Sequence, residues 1–540
     1  MKIIGLHGGH DAAYAVLENG LPFKHNELER FNREKGCRGD TLKLFLDNES
    51  SNDIDYISTN TTGKWKQYFN YNQSTFLKNF SKGKLYIANH HQSHAANAFF
   101  TSPFSDALII TLDGGGADFK DGREANWSDL DTYLNSNGII TATTFWKGED
   151  NKITPLEMID KGNLNIGLYW DVCTYNIFGL NRNPVKRGEE GTVMGMAAYG
   201  NPDKYLKYFK NLGNAKLTRH WGPYDMDFLK SEAEKSEQNK FDIAASLQKE
   251  TELVIKKLID PYIKKYNPKN ICLSGGVSLN CVMTGKLLDW YPGINIFCDP
   301  IPHDAGLTLG SCRYVWHQIL NNPRIYDNPR NHSPYLGKKY SKGEVMEAIN
   351  CVSNLKVENV EDDYVVELLL KDNNVISLFG GGSESGRRAL GNRSIVADPR
   401  NPKMKDIINK KVKHRQWFRP FAPSILKDDV KDWFIHDIDS PYMSFAIPFL
   451  EDKVDLVPAV VHNDGTARLQ TVKKEDNEWY YNFITKFKEK TQVPIILNTS
   501  FNDREPIVET PHHAINCFLR TDIDFLYFRD YGLLLSKKIK

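Results

Sequence analysis

The sequence predicts an α/β protein of two domains, and three observations carry that prediction. At 540 residues the chain exceeds the size at which one core keeps growing. Apolar runs of strand length repeatedly end in glycine turns, the pattern of α/β folds that hold ligands at strand ends. A stretch rich in Pro and Asn, Asn321 to Gly337, interrupts the helical pattern. It reads as the boundary, placing the domains at 1–335 and 336–540.

The elements follow in order. Lys2 to Leu6 is a strand that runs into the turn HGGHD and then the strand AAYAVLENG. His10 and Asp11 sit in that turn, where a side chain can face a ligand. Lys35, in ERFNREKG, is a candidate partner for a carbonyl or phosphate oxygen. NHHQSHAANAFF reads as a helix, and its His90 and His94 lie four residues apart on one helical face. Ala107 to Leu112 is a strand entering the turn DGGG, and Asn270 to Leu273 is a strand entering SGGVSLN, followed by a helix. Two of these loops offer carboxylates, Asp113 in LDGGG and Asp304 in PHDAG. Two imidazoles with two carboxylates suit Fe(II), Mn(II) or Zn(II), provided that all four converge in space. Without that convergence, the histidines read as helix caps or satisfied core residues. Glu190, in EGTVMGMAAYG, lies beside a further glycine turn and could orient substrate or a metal-bound water.

After the boundary the sequence predicts a helix (Lys342 to Val352), a strand (Asn374 to Leu378) and two extended segments (Ser444 to Phe449 and Val493 to Leu497). Between them, from Phe379 to Ser424, lies the most distinctive stretch of the chain. Eleven Lys and Arg fall between Arg387 and Arg419, against only Asp398 and Asp406. Glycines allow close backbone approach, and guanidinium forks grip phosphate or carboxylate oxygens in pairs. The stretch reads as a cradle for a small, highly charged phosphorylated substrate.

Composition narrows the function classes. Hydrophobic content of 40% and charged content of 25% are those of an ordinary globular protein. A formal net charge of +1 gives no global field of the kind that marks a nucleic-acid binder. The eight cysteines form no C-x-x-C pair, which argues against a zinc knuckle and a disulfide framework. The first residues turn polar too early for a signal peptide, and no apolar run is long enough to span a bilayer. A cytoplasmic, soluble protein with no membrane partner is expected, and a homo-oligomer is left open. One local exception is Lys64 to Tyr86, with five lysines, no acid and six aromatics before Tyr86. Interleaved cations and aromatics suit contact with single-stranded nucleic acid, although such clusters are also common on solvated loops.

Three glycine turns in the order HGGHD, LDGGG and SGGV resemble the actin/hexokinase/Hsp70 superfamily, in which two turns embrace phosphates and a later one sits by adenosine. Together with ERFNREKG, HHQSHAANAFF, VMGMAAYG, LSGGVSLNCVMTGKL, HDAGLTLG, GRRALGNRSIVADPRNP, VKHRQWFRPFAP, HNDGTARLQTV and NTSFNDREPIVETP, they resemble the O-carbamoyltransferases of the NodU/CmcH family. The likeness covers nearly the whole chain. It implies an amino-terminal actin/hexokinase-like (Kae1-like) domain and a carboxy-terminal α/β YrdC-like domain. It further implies that carbamoyl phosphate and ATP, with Mg²⁺, form carbamoyladenylate in the second domain. The carbamoyl group then passes to an acceptor hydroxyl beside a metal in the first, the metal being iron in the family's type structure.

Carried over by position, the resemblance puts metal ligands at His90, His94, Asp113 and Asp304, and catalytic residues at His10 and Lys35. Nucleotide or carbamoyladenylate contacts in the first domain fall on Gly114, Gly115, Glu190, Gly275, Gly276 and Asn280. Contacts to carbamoyl phosphate and ATP in the second fall on Arg388, Asn392, Arg393, Ser394, Lys413, Arg415, Arg419, Arg468, Asn498 and Ser500. The chain departs from the family's pattern at Arg387, where proline is usual, at Gly380, where glutamine is common, and at Thr192, where lysine is frequent. The first of these could alter how phosphate is held. The implied acceptor is a small hydroxylated natural product or sugar. A hydroxymethylated pyrimidine in viral DNA is the alternative that Lys64 to Tyr86 motivates, and an actin/hexokinase-type kinase would explain the first domain alone.

Overall fold

Two sheets of the same strand order build the first of two units, Met1–His332. The computed structural model of the chain describes residues 1–50, 53–60, 84–119, 138–180, 188–214, 222–371 and 373–538. The first sheet comprises β1 (Lys2–His7), β2 (Ala13–Glu18), β3 (Leu21–Glu27), β4 (Tyr56–Thr59) and β5 (Lys84–Ile87), in the order β3-β2-β1-β4-β5. The second comprises β6 (Asp106–Phe119), β7 (Gly138–Glu149), β8 (Lys152–Asp160), β9 (Asn270–Ser274) and β10 (Asn295–Cys298), in the order β10-β9-β6-β7-β8. In each sheet the first three strands form an antiparallel meander and the last two add in parallel beside the first. This duplicated α/β sheet is the actin/hexokinase-type architecture that the glycine turns resemble. It repeats in topology where the sequence shows no internal repeat. Most of the basic, aromatic run, Lys64 to Gly83, lies outside the described residues; Lys84 to Tyr86 belong to β5.

The central strand β1 is buried from Ile3 to His7, so it reads as a nearly continuous apolar run rather than an alternating one. Helix His90–Thr101 begins directly after β5 with a capping box between Asn89 and Gln92, and all twelve of its residues are buried. DGGG is not the strand-ending turn that the sequence predicts. β6 runs through it, pairing with β7 on both sides of a register shift between Leu112 and Gly116. Pairing with a neighbouring strand keeps the segment extended, and the shift makes it a bulge that re-aims the side chain of Asp113.

The second unit, Ser333–Lys540, is built on one nine-stranded sheet of the described residues, in the order β11-β19-β18-β12-β13-β17-β14-β16-β15. Its strands are β11 (Leu355–Asn359), β12 (Ile376–Phe379), β13 (Arg393–Ala397), β14 (Ala422–Leu426), β15 (Phe445–Pro448), β16 (Thr466–Val472), β17 (Ile495–Ser500), β18 (Phe525–Phe528) and β19 (Leu533–Lys537). The predicted helix from Lys342 spans Lys342–Asn350, opened by a capping box of Ser341 and Glu344. The neighbouring strands β13, β17, β14 and β16 set Ser394 opposite Ser500, Asn498 opposite Ala422, and Ser424 opposite Gln470. Polar residues far apart in sequence thus share one strip of the sheet. No helix among the described residues is long and apolar enough to cross a membrane.

Candidate metal centre and basic cradle

His90 and His94 project from one face of their helix toward the bulge of β6 and the loop that follows β10. There they meet Asp113 and Asp304, and one ligand atom from each of the four lies within 4.8 Å of every other. His90 Nε2 is 3.1 Å from Asp113 Oδ2 and 3.6 Å from Asp304 Oδ1. His94 Nε2 is also 3.6 Å from Asp304 Oδ1, too far for a hydrogen bond, and although fully buried it has no partner at hydrogen-bond distance. A buried imidazole nitrogen left in this way is costly unless something else occupies its lone pair. The nitrogen and oxygen donor set, its spacing and that orphaned atom all fit a divalent transition metal.

Charge in the cluster is shared internally. Burial works against a proton on His90, but the charge of Asp304 and the hydrogen bond that His90 donates to Asp113 outweigh it and raise the imidazole to about 9. Burial lowers His94, and the neighbouring His90 adds to that effect. Asp113 is held well below the carboxylate range because its bond to His90 overcomes the burial that would raise it. Asp304 is lowered against the same opposition, chiefly by His90.

The glycines serve close approach. A Cβ on Gly116 would stand 2.0 Å from Cγ of His90, so the third glycine of DGGG lets the ring lie on the strand. Gly275, with φ +88°, would bring a Cβ within 2.2 Å of the Leu112 carbonyl oxygen. That contact lets Gly276 N–H donate to Asp113 Oδ1 at 3.0 Å, while Gly115 N–H donates to Oδ2 at 3.3 Å. Gly114 accepts from Asn165 through its carbonyl. Asn280 caps helix Cys281–Trp290 and exchanges hydrogen bonds with Gln248. Glu190 opens helix Glu190–Ala197 and is half-buried.

The first turn joins the cluster through a residue that the sequence reading passes over, His7. Its Nδ1 lies 2.8 Å from Asn60 Oδ1, and its Nε2 is 3.1 Å from the carbonyl of His10 and 4.0 Å from Asp304. His10 Nδ1 pairs with Asp11 Oδ2 at 2.8 Å. A Cβ on Gly36 would lie 3.0 Å from His10 Nε2, so the loop carrying exposed Lys35 rests against that ring. Buried His91 is likewise unforeseen: Asp118 accepts from its backbone N–H at 2.8 Å and pairs with its Nδ1 at 2.7 Å. The helix opens with five polar residues in a row, HHQSH, and nothing in that run marks which imidazole is the anchor.

In the second unit the cradle divides into inward and outward residues. Lys413 is buried, and its ammonium donates to the carbonyl oxygens of Ser500 (2.6 Å) and Asn502 (2.9 Å) and to Oδ1 of Asn502 (2.7 Å). Arg393, fully buried, donates to the carbonyls of Gly380 at 2.8 Å and Asn392 at 3.0 Å, with its guanidinium 3.7 Å from the centre of the Phe379 ring. It clamps the glycine turn. Asn392 joins the same turn through Gly382, and Ser394 Oγ accepts from Gly391 N–H at 2.8 Å. Asn498 donates to Ser424, Gln470 and the Ala389 carbonyl. Arg415 donates to Asn409 and the Pro420 carbonyl, while Arg388, Arg419 and Arg468 are half-buried.

Two supporting residues were not foreseen. Glu384 Oε1 accepts backbone N–H bonds from Leu390 (2.7 Å), Asn392 (2.8 Å) and Arg393 (3.2 Å), fixing the GNR loop. Arg529 is buried, stacks 4.3 Å from the Trp479 ring centre and donates to Asn392 Oδ1 at 2.6 Å. Glu384 sits in a serine-glycine run that looks like a plain loop, and Arg529 lies far along the sequence.

The chain matches two family models, the carbamoyltransferase N-terminus over residues 57–312 and the carbamoyltransferase C-terminus over residues 367–535. A Synechocystis protein, uncharacterized protein sll1178, is 34% identical over 83% of this chain and 76% of its own length. Nodulation protein NolO of Bradyrhizobium diazoefficiens is 34% identical over 81% of this chain and 77% of its own. Uncharacterized protein MJ1051 of Methanocaldococcus jannaschii is 31% identical over 99% of both chains.

Proposed function

Because the chain belongs to the carbamoyltransferase family, we propose that it is an ATP-dependent O-carbamoyltransferase that works in two half-reactions, one in each unit. The observation that carries this reading is the pairing, within one such chain, of a four-ligand cluster in the first unit with buried cations held by neutral oxygens in the second.

In the first half-reaction carbamoyl phosphate loses phosphate to water, and the resulting carbamate oxygen attacks the α-phosphorus of ATP. Pyrophosphate leaves and carbamoyladenylate forms. Both reactants are anions, so bringing them together requires cations. Lys413, Arg388, Arg415, Arg419 and Arg468 supply these, each charge-assisted hydrogen bond contributing about 1.5–3 kcal/mol. Mg²⁺ accompanies ATP and shields its phosphates.

In the second half-reaction an acceptor hydroxyl attacks the carbamoyl carbon, and AMP departs. His90, His94, Asp113 and Asp304 would hold a divalent metal such as Fe(II), which supplies Lewis-acid polarisation of the carbamoyl carbonyl. His10 takes the hydroxyl proton at Nε2; Asp11, paired with Nδ1, holds the ring and stabilises the imidazolium. Lys35, on the loop against His10, faces the oxyanion or phosphate. The acceptor is a small hydroxylated molecule.

The test is to incubate the protein with ATP and Mg²⁺, with and without carbamoyl phosphate, and to measure pyrophosphate, with hydroxylamine to trap carbamoyladenylate. Carbamoyl-phosphate-dependent pyrophosphate and a trapped hydroxyurea are expected, followed by an acceptor screen beginning with sugars. Release of ADP and orthophosphate instead would replace this reading with a kinase or ATPase.

A further inference from the structure

Behind His94, on the side away from Asp304, lies a buried polar chain that no step above uses. His94 Nδ1 is 3.3 Å from Ser274 Oγ, and Ser274 Oγ is 2.8 Å from Asp299 Oδ2. Ser274 ends β9, and Asp299 follows β10, the parallel neighbour of that strand. Asp299 is 1% exposed and also accepts from Ile301 N–H at 2.8 Å and from Asn97 Nδ2 at 2.9 Å to each carboxylate oxygen. Asn97 lies one helical turn beyond His94 on the same helix.

Hydrogen-bond polarity along this chain favours one arrangement, since the 3.6 Å from Nε2 to Asp304 Oδ1 is too long for a competing hydrogen bond. Burial raises the Asp299 carboxyl, but the donors Ile301 N–H and Asn97 Nδ2 face both of its oxygens and favour the carboxylate. A carboxylate only accepts, so the Ser274 hydroxyl proton points to Asp299. The serine oxygen then has only lone pairs for His94, and Nδ1 must carry the proton. The lone pair of His94 therefore lies on Nε2, the buried atom without a hydrogen-bond partner beside Asp304. We infer that Asp299, acting through Ser274, is a positioning residue that fixes the Nδ1–H tautomer of His94 and so presents Nε2 as a ligand. This rests on the metal reading above for its purpose, but the tautomer itself does not. Metal-binding imidazoles commonly have their second nitrogen held in this way.

Asp299→Asn reverses the polarity with almost no change of shape. Ile301 N–H requires an acceptor, so the amide oxygen stays at the Oδ1 position and the amide nitrogen faces Ser274. Asn97, whose Oδ1 has no partner, can turn its amide to accept from the new donor. The Ser274 proton is then free to point at His94 Nδ1, which moves the ring proton to Nε2.

The experiment has two readouts on the full chain. Imidazole ¹⁵N shifts of the metal-free protein, assigned with His94→Gln, report the tautomer. Competition with a chromophoric chelator gives the affinity for Zn²⁺ and Fe²⁺. Wild type should show Nδ1–H and Asp299→Asn should show Nε2–H, with metal affinity lower by about 10- to 100-fold. In a Ser274→Ala background Asp299→Asn should change affinity by less than about twofold, because its route to His94 is gone. An Nε2–H tautomer in wild type, or a full-sized Asp299→Asn effect without Ser274, overturns the inference. A wild type that binds no divalent metal would defeat the metal reading and leave the tautomer readout to decide this one.

Discussion

The two candidate sites handle buried charge in opposite ways. In the first unit His90, His94, Asp113 and Asp304 set cations against anions within one cluster, so each carboxylate is lowered by an imidazole and His90 is raised by carboxylates. In the second unit the ammonium of Lys413 is held by carbonyl, hydroxyl and amide oxygens, whereas the guanidinium of Arg393 donates to carbonyls with the buried acids Glu509 and Glu384 close enough to offset part of its charge. Neutral dipoles satisfy hydrogen-bonding geometry without cancelling charge. A cluster that balances itself suits a fixed ion and a reacting carbonyl, whereas a cradle that keeps its positive charge suits an anionic substrate that comes and goes.

The sharpest way to break this comparison is to remove one member of each site and ask whether the halves fail separately. His94→Ala takes a ligand from the first unit and should lower acceptor carbamoylation by about a hundred- to a thousandfold, the cost of losing a preorganised electrostatic group. Pyrophosphate release should stay within about threefold of wild type. Lys413→Met removes a buried cation while keeping an apolar stem of similar length, which limits the folding penalty. It should lower carbamoyl-phosphate-dependent pyrophosphate release by about a hundredfold, as for truncation of a buried charged partner, with metal affinity unchanged. If both variants impaired both readouts equally at unchanged melting temperature, the assignment of one half-reaction to each unit would fall.

The two regions also differ in what could be read from the sequence. The i, i+4 spacing of His90 and His94 needs only a helix to become geometry, and the aspartates sit in recognisable turns. All four accordingly meet within 4.8 Å. The relay of Ser274 and Asp299 was invisible, because it exists only once β9 and β10 pair side by side. DGGG was legible as a close-approach segment but not as part of a strand, since its extended form is imposed by β7. The cationic density of the cradle was plain in composition, yet composition does not say where a side chain points. Arg393 turns to the carbonyls of its own loop, and Glu384, an acid in a basic stretch, is the residue that shapes it. The duplicated sheet is legible only through the likeness of the glycine turns, because topology repeats there while residues do not.

A middle-sized effect tests whether the cradle depends on its loop or only on its charge. Glu384 Oε1 collects three backbone N–H bonds. Glu384→Ala leaves those donors without that acceptor, at about 1–3 kcal/mol for an unmet buried group. The melting temperature of the second unit should fall and the KM for carbamoyl phosphate should rise about tenfold. Glu384→Gln keeps an acceptor oxygen and should stay within about threefold of wild type. Equal defects in the two variants would show that the negative charge, and not the backbone bonds, is what counts.

A last effect, on stability alone, sharpens the charge argument within the first unit by contrasting His90 with His317, whose charged neighbours among the described residues are arginines. His317 is buried, its Nδ1 lies 3.2 Å from the Asn322 carbonyl, and its ring centre is 4.5 Å from that of Phe100. Burial, aided by the nearby cations Arg313 and Arg324, lowers it from 6.5 to about 3. Below pH 6.5 the unfolded chain takes up this proton while the folded chain does not until about pH 3. Stability is therefore lost as pH falls through that window, at about 1.4 kcal/mol per pH unit from this group. His317→Asn retains a donor to the Asn322 carbonyl and removes the titration. Urea unfolding between pH 7 and 4 should show a shallower decline than wild type, with both half-reactions unchanged at pH 7. Parallel declines would mean that His317 is protonated in the folded chain, and that burial without a carboxylate is not enough to keep an imidazole neutral here.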